Sequence, residues 1–328
     1  MLALLLAATV LSAPLAEVDD FDEPALWRGP IHQYGNLATG TARVAGGLLT
    51  VVRRPGGRYH MLSMERDLRA DPASGLWVHF RFRMEERLLG ADLYATVTVG
   101  GRTLAQMGVN GEMHWRMFER CRKKPFDDEL FFGSDLIAGE DGGKRSDIRL
   151  ALPPARAGRI LYTDWHVFSV GVSGAPGRRR VTVLVDGLEP IYRDLDAAAP
   201  AGVVDMRVPP ERDLRPGPAD VRVSFGVFAD GDLYGDTRVN DGAGVRWLHA
   251  FADDTPAEPH PSDPRLAVKR EARMHWDWLI VHDGAGARLA GKRAARLVRA
   301  GRLDPAVARR LGWWSAMGRP ARPRGAAR

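Results

Sequence analysis

TDWHVFSVGVSGAPGRRRVTVLVDGLEPIYR, residues 163–193, decides how the rest of the chain is read. Residues 165–172 are rich in β-branched and aromatic side chains, which suit a pleated and half-buried surface, and residues 181–185 form a second such run. Between them, Ser173-Gly174-Ala175-Pro176-Gly177 interrupts any regular element. Asp186-Gly187 tolerates the positive φ of a two-residue hairpin turn, so residues 189–193 are expected to fold back beside the second run. The stretch reads as a meander of antiparallel strands and, taken alone, as scaffold rather than chemistry.

Working outward, the same grammar recurs. Residues 76–83, LWVHFRFR, alternate so that His79, Arg81 and Arg83 lie opposite Val78, Phe80 and Phe82. Residues 42–53 read as a strand with a glycine break. Residues 93–99 and 102–109 flank Gly100-Gly101, a hairpin turn, and Asn110-Gly111 turns the chain again into residues 112–118. A two-residue loop there sets Val109 opposite Glu112 and Met107 opposite His114, so the apolar parity of the two strands disagrees; either a bulge intervenes or this hairpin lines a groove. Residues 119–158 and 196–220 read as long charged or proline-rich loops, of the kind that often shape a binding site. Strands are expected again at 221–228 and 274–282.

The two ends differ from this middle. Residues 1–16, MLALLLAATVLSAPLA, have the build of a secretory leader, which predicts an exported chain (periplasmic, extracellular or envelope-associated) cut near Ala16. No later segment has the length and apolarity of a membrane-spanning helix. From residue 285 onward there are twelve Lys and Arg against one acid, Asp304, so the preceding part is net acidic although the whole chain is +6. Leu289, Ala294, Leu297 and Val298 fall near helical spacing, and Asp304-Pro305 opens a second helix with a capping side chain followed by proline at its first position. Trp313-Trp314 is expected to dock that helix, and the basic tail is a candidate contact for an anionic surface. Cys121 is the single cysteine, which excludes an intrachain disulfide.

Regular β runs, the opening Asp19-Asp20-Phe21, the meander at 165–187, Phe225-Gly226, and Trp276-Asp277-Trp278-Leu279-Ile280-Val281 near the end together resemble the concanavalin A-like lectin/glucanase superfamily, the jelly roll shared with laminin G-like modules. The expected fold class is therefore all-β: a two-sheet antiparallel jelly-roll sandwich over 17–284 with a short α-helical C-terminal extension, 285–328, partly disordered. The resemblance implies a polysaccharide or glycan partner on the concave sheet, with His79, Arg81, Arg83, Gln106, Asn110 and Trp115 as ligand-binding candidates. No nucleic-acid partner is expected.

Three chemistries follow as expectations. A retaining glucanase of this type needs two carboxylates ~5 Å apart, which the related enzymes carry on one strand as Glu-x-Asp-x-Glu or Glu-x-Asp-x-x-Glu; no such run is evident. A polysaccharide lyase needs a group that neutralises the uronate and a His or Tyr base, which Gln106, His114, Arg116 and Arg81 could supply; for an enzyme in this groove the catalytic candidates are Glu112, His114 and Arg116. A non-catalytic binding domain needs neither and is the preferred reading; the alternatives are a lyase or glycoside hydrolase in the same groove, or a structural or adhesion protein of the envelope. The resemblance also implies a structural calcium between the opening loop and the last strand, with Asp20 and Asp277 as its metal ligands. Nothing supports a zinc site, a nucleotide loop or an esterase elbow.

Overall fold

The computed structural model describes residues 14–33, 40–54, 60–85, 91–110, 129–138, 144–151, 164–194, 204–229 and 271–313. The strands are β1 (Ala16–Asp19), β2 (Arg28–Gln33), β3 (Gly40–Ala45), β4 (Leu48–Arg53), β5 (His60–Ala70), β6 (Leu76–Met84), β7 (Ala91–Val99) and β8 (Arg102–Asn110). They continue with β9 (Glu129–Ala138), β10 (Lys144–Ala151), β11 (His166–Ser173), β12 (Arg180–Val185), β13 (Ile191–Asp194), β14 (Ala219–Ala229) and β15 (Ala272–Asp283). Two helices, α1 (Ala287–Arg299) and α2 (Pro305–Arg310), follow.

The strands form two antiparallel sheets. One has seven strands in the order β12-β11-β6-β15-β4-β3, with β1 added beside β15; the other has eight in the order β13-β10-β9-β8-β7-β14-β5-β2. Between them lies one core in which Phe21, Trp27, Phe80, Phe168, Phe225 and Trp276 meet ring to ring. The alternation in β6 sets its side of that core: Val78, Phe80 and Phe82 are fully buried between the sheets, and His79, Arg81 and Arg83 point the other way.

β15 carries the feature that joins sandwich to tail. Its register against β6 shifts between Trp276 and Trp278, a bulge centred on Asp277. In a regular strand two residues i and i+2 share a face. The extra residue sends Trp276 into the core, stacked on Phe225, and Trp278 to the opposite face, where it packs with Ile280 against Ala290, Ala294, Leu297 and Val307 of the helices. Both indoles are thus fully buried, against different partners. Small side chains at Ala290, Gly291 and Ala294 let α1 lie close to the sheet. Of the residues at helical spacing, Ala294 and Leu297 are buried, whereas Leu289 is turned out and 39% exposed.

Other expectations are revised. Residues 42–53 are two strands: Gly46 and Gly47, at φ +61 and +73, close the β3–β4 hairpin. The span 119–158 is not simply loop. It contributes β9 and β10, whose Leu130, Phe132, Leu136, Ile137, Ile148 and Leu150 are buried. Residues 189–193 do not complete the meander. Asp186 and Gly187, at φ +52 and +73, make the expected turn and Leu188 bridges Val185, but Pro190 has no N–H to continue the ladder, and β13 crosses to pair with β10 in the other sheet. The Tyr192 hydroxyl ties the crossing back by accepting from the Val183 N–H and donating to its carbonyl; burial pushes this phenol up to about 12.

Ala16, placed by its sequence at the end of the leader, opens β1 and is buried. At that end Asp19 accepts from the Phe21 N–H, the Trp27 indole and the Arg66 guanidinium. Among the described residues, no helix is long and apolar enough to cross a membrane.

Candidate functional site

The sandwich has two outer faces, and they differ in what covers them. On the seven-stranded sheet the helices occupy the face that β6 presents. His79 is 3% exposed beneath the Trp313 ring, edge to face at 4.8 Å. Arg81 donates to Asp277 at 2.6 Å, and Arg81 and Arg83 both lie over the Trp165 ring, at 4.7 and 4.8 Å from its centre. These three candidates are therefore at the tail-docking side and share no groove with Gln106, which stands exposed on β8 of the other sheet. Asn110 ends β8, and only its backbone is described; Glu112, His114, Trp115 and Arg116 lie outside the described residues.

Asp20 and Asp277, expected as calcium ligands, do come together, and a guanidinium joins them. Arg302, just past the Gly301 cap of α1, donates from Nε to Asp277 Oδ1 at 2.9 Å and from Nη2 to the Asp20 carbonyl at 3.3 Å and the Gly47 carbonyl at 3.1 Å; Nη2 also reaches the Asp277 carbonyl. With Arg81 on its other oxygen, the Asp277 carboxylate faces two cations supplied by the chain itself. The Asp20 carboxylate pairs with Arg296 at 3.0 Å. No group of three or more potential metal ligands occurs among the described residues.

The outer face of the eight-stranded sheet offers a different array. Cross-strand register places Gln106 beside Thr96, Thr96 beside Ser224, Ser224 beside Glu65 and Glu65 beside Arg28, one row running across β8, β7, β14, β5 and β2. A second row aligns Thr98, Arg222 and Asp67. A third sets Tyr94 between Gly108 and Gly226, with Ser63 next. In this row Gly226 and Ser63 are buried and Tyr94 is partly exposed. The Ser63 and Ser224 hydroxyls are buried and find no hydrogen-bond partner among the described residues.

Glu65 and Asp67, two residues apart on β5, share this face with Arg28 and Arg222. Arg28 Nη2 lies 2.5 Å from Glu65 Oε2 and 3.7 Å from Asp67 Oδ2; Arg222 Nε lies 2.7 Å from Asp67 Oδ1 and 3.5 Å from Glu65 Oε2. The Arg222 hydrogen bond holds the Asp67 carboxyl below its usual range, and the same contact raises Arg222. The four charges balance; Arg28, Arg222 and Asp67 are about half exposed, whereas the Glu65 side chain beneath them is 10% exposed.

The sequence reading passed over these four. The signal was Glu65-Arg66-Asp67, a carboxylate pair of the strand-borne kind, with Arg69 where a third acid would stand. It was hidden because Arg66, at an inward position between Met64 and Leu68, breaks the apolar alternation; its partner is the buried Asp19.

Neither a protein-family model nor a curated protein matches the sequence. Solved structures similar to it include one described with the endo-acting O-glycanases by which human gut microbiota initiate mucin breakdown, with a TM-score of 0.44 and 15% identity, covering 81% of this chain and 98% of that one. They also include a non-specific endo-β-1,3(4)-glucanase of family GH16 (0.41 and 13%, covering 83% and 92%) and the CBM2 module of the evolved Dit protein of Lactobacillus casei BL23 phage J-1 (0.39 and 10%, covering 82% and 96%). All three have TM-scores below 0.5 and identities of 15% or less. The two-sheet antiparallel sandwich itself rests on the strand pairing of this chain.

Proposed function

We propose that this is an exported carbohydrate-binding sandwich that holds a glycan on the outer face of its eight-stranded sheet. One observation carries the reading. Among the described residues, the tail helices pack on the outer face of the seven-stranded sheet, whereas the opposite face sets Gln106, Thr96, Thr98, Arg28, Arg222 and Asp67, all at least partly exposed, around the buried Glu65. Carboxylates and guanidinia fixed by each other orient bidentate bonds to vicinal hydroxyls at little entropic cost, because the side chains are already ordered. Tyr94 adds a ring beside them.

Binding is favoured over cleavage by the state of Asp67. A glycosidase needs one carboxyl held protonated as general acid, and the arginine beside Asp67 has the opposite effect. The second reading, a glycoside hydrolase, draws on the same-face spacing of Glu65 and Asp67.

Passing the full chain over immobilised neutral β-glucan and polyuronate, while assaying for new reducing ends and unsaturated products, tests both. Retention without products, weakened about tenfold, or ~1.4 kcal/mol, in Arg222→Ala and in Glu65→Gln, is the expected result. Products that vanish in Glu65→Gln would move the protein to the hydrolases. Absence of both retention and products on either polymer would overturn the proposal.

A further inference from the structure

Between the seven-stranded sheet and the tail helices lies a cleft of about 670 Å³, within the ~300–1,000 Å³ typical of small-ligand sites. Trp77, Trp313, His79, His282, Arg288 and Arg310 line it, and no carboxylate does so among the described residues.

Its floor is built for a flat ring. Trp77 on β6 is paired with Gly171 on β11, and a Cβ at Gly171 would fall 2.2 Å from the indole. The missing side chain lets the indole lie across the neighbouring strand. His79 continues the surface, its imidazole only 7° from the indole plane with centres 5.7 Å apart. The two histidines are locked in one tautomeric pattern. The Asp283 carbonyl can only accept, so His282 Nδ1 carries a proton and donates at 2.8 Å; His282 Nε2 then accepts from His79 Nε2–H at 3.2 Å. Both imidazoles are thus neutral aromatic walls, and the positive charge of the cleft comes from the arginines.

Arg293, Arg296 and Arg302 are directed at carbonyls or acids of the sandwich. Arg310 gives one bond to the Asp186 carbonyl at 3.1 Å, and Arg288 is exposed at the cleft. Guanidinium donors beyond those used remain for an anion.

We propose that this cleft is a second binding site, on the face opposite the glycan-binding rows, for an acidic sugar unit: a pyranose ring bearing a carboxylate. The apolar face of the ring stacks on Trp77, and its carboxylate pairs with Arg288 and Arg310 in the forked geometry that arginine supplies. The site uses none of the residues of the eight-stranded face, so the two can fail separately.

Calorimetric titration of the full chain with an oligouronate and with the neutral oligosaccharide of the same backbone tests it, in the Glu65→Gln/Arg222→Ala background that disables the other face. The expected result is oligouronate binding that survives in this background, is weakened about tenfold by Arg288→Ala, and falls with added salt, while the neutral oligomer binds at least about tenfold more weakly. Trp77→Phe, which keeps a ring over Gly171, should retain part of the affinity, and Trp77→Ala should lose it; if Trp77→Ala does not fold, Arg288→Ala decides. Equal affinity for the neutral oligomer, indifference to Arg288→Ala, or no oligouronate binding in that background overturns the proposal and leaves the reading of the other face intact.

Discussion

Replacing Arg302 by Met removes the cation that joins the tail to the bulge of β15 while keeping a stem of similar length. Asp277, whose side chain is 7% exposed, would keep only Arg81, and the carbonyls of Asp20, Gly47 and Asp277 would lose their donor. Removing one partner of a buried pair costs roughly 3–5 kcal/mol. The Arg302 side chain is 28% exposed, so water takes up part of the vacated bonding and the lower end, ~3 kcal/mol, applies. At about 2–4 °C per kcal/mol for a chain of this size, Tm falls by roughly 6–12 °C. Arg302→Lys retains the charge without the fork and loses about half of that. Differential scanning calorimetry reads the shift, and a double-mutant cycle with Asp277→Asn isolates the pair. If Tm of Arg302→Met stays within about 1 °C of the parent, the clamp contributes nothing and the reasoning is refuted.

Acid should loosen the same junction. His79 and His282, and His275 on the same sheet, are all held below the ordinary imidazole range, chiefly by burial. A depressed folded-state value means that their neutral form contributes stability above the unfolded pKa of about 6.5, and that this contribution is lost as pH falls below it. Tm should be flat from about pH 7 to 8 and decline from about pH 6.5 downward, with a shallower slope in His79→Phe; an unchanged slope contradicts the assignment. Gly171→Ala sets a methyl against the Trp77 indole and should cost about 1–3 kcal/mol by overpacking, read by chemical denaturation. Added calcium should leave Tm unchanged to about 1 °C, since guanidinia already occupy both Asp277 oxygens; a rise that grows with calcium concentration would show an ion site at these acids.

The architecture was legible where side-chain parity was undisturbed. Val78, Phe80 and Phe82 gave β6 its inward face, and Trp276-Asp277-Trp278 marked the final strand, although no sequence rule revealed the bulge that sends the two indoles to opposite faces. Strand identity failed where charge intruded: inward Arg66 hid β5, and the charged flanks of residues 129–151 hid β9 and β10. The turn at Asp186-Gly187 was readable, but the crossing of β13 to the other sheet depended on Pro190 and on a partner strand far upstream. For the candidate site the limit was pairing across sheets. Gln106, a ligand-binding candidate, is exposed on β8, but Glu65, Asp67, Arg28 and Arg222 converge only through the registers of β2, β5 and β14. His79 looked equally available until the helices that cover it were placed.

The proposed glycan-binding face is the outer side of the eight-stranded sheet. Carboxyl footprinting of the full chain, with and without whichever of the β-glucan and the polyuronate is better retained, reads it residue by residue. Bound glycan should slow labelling of Asp67, whose side chain is 52% exposed, while Glu189 and Glu271, on exposed surface elsewhere, label at their free rates. Unaltered labelling of Asp67 at saturating glycan would contradict the account.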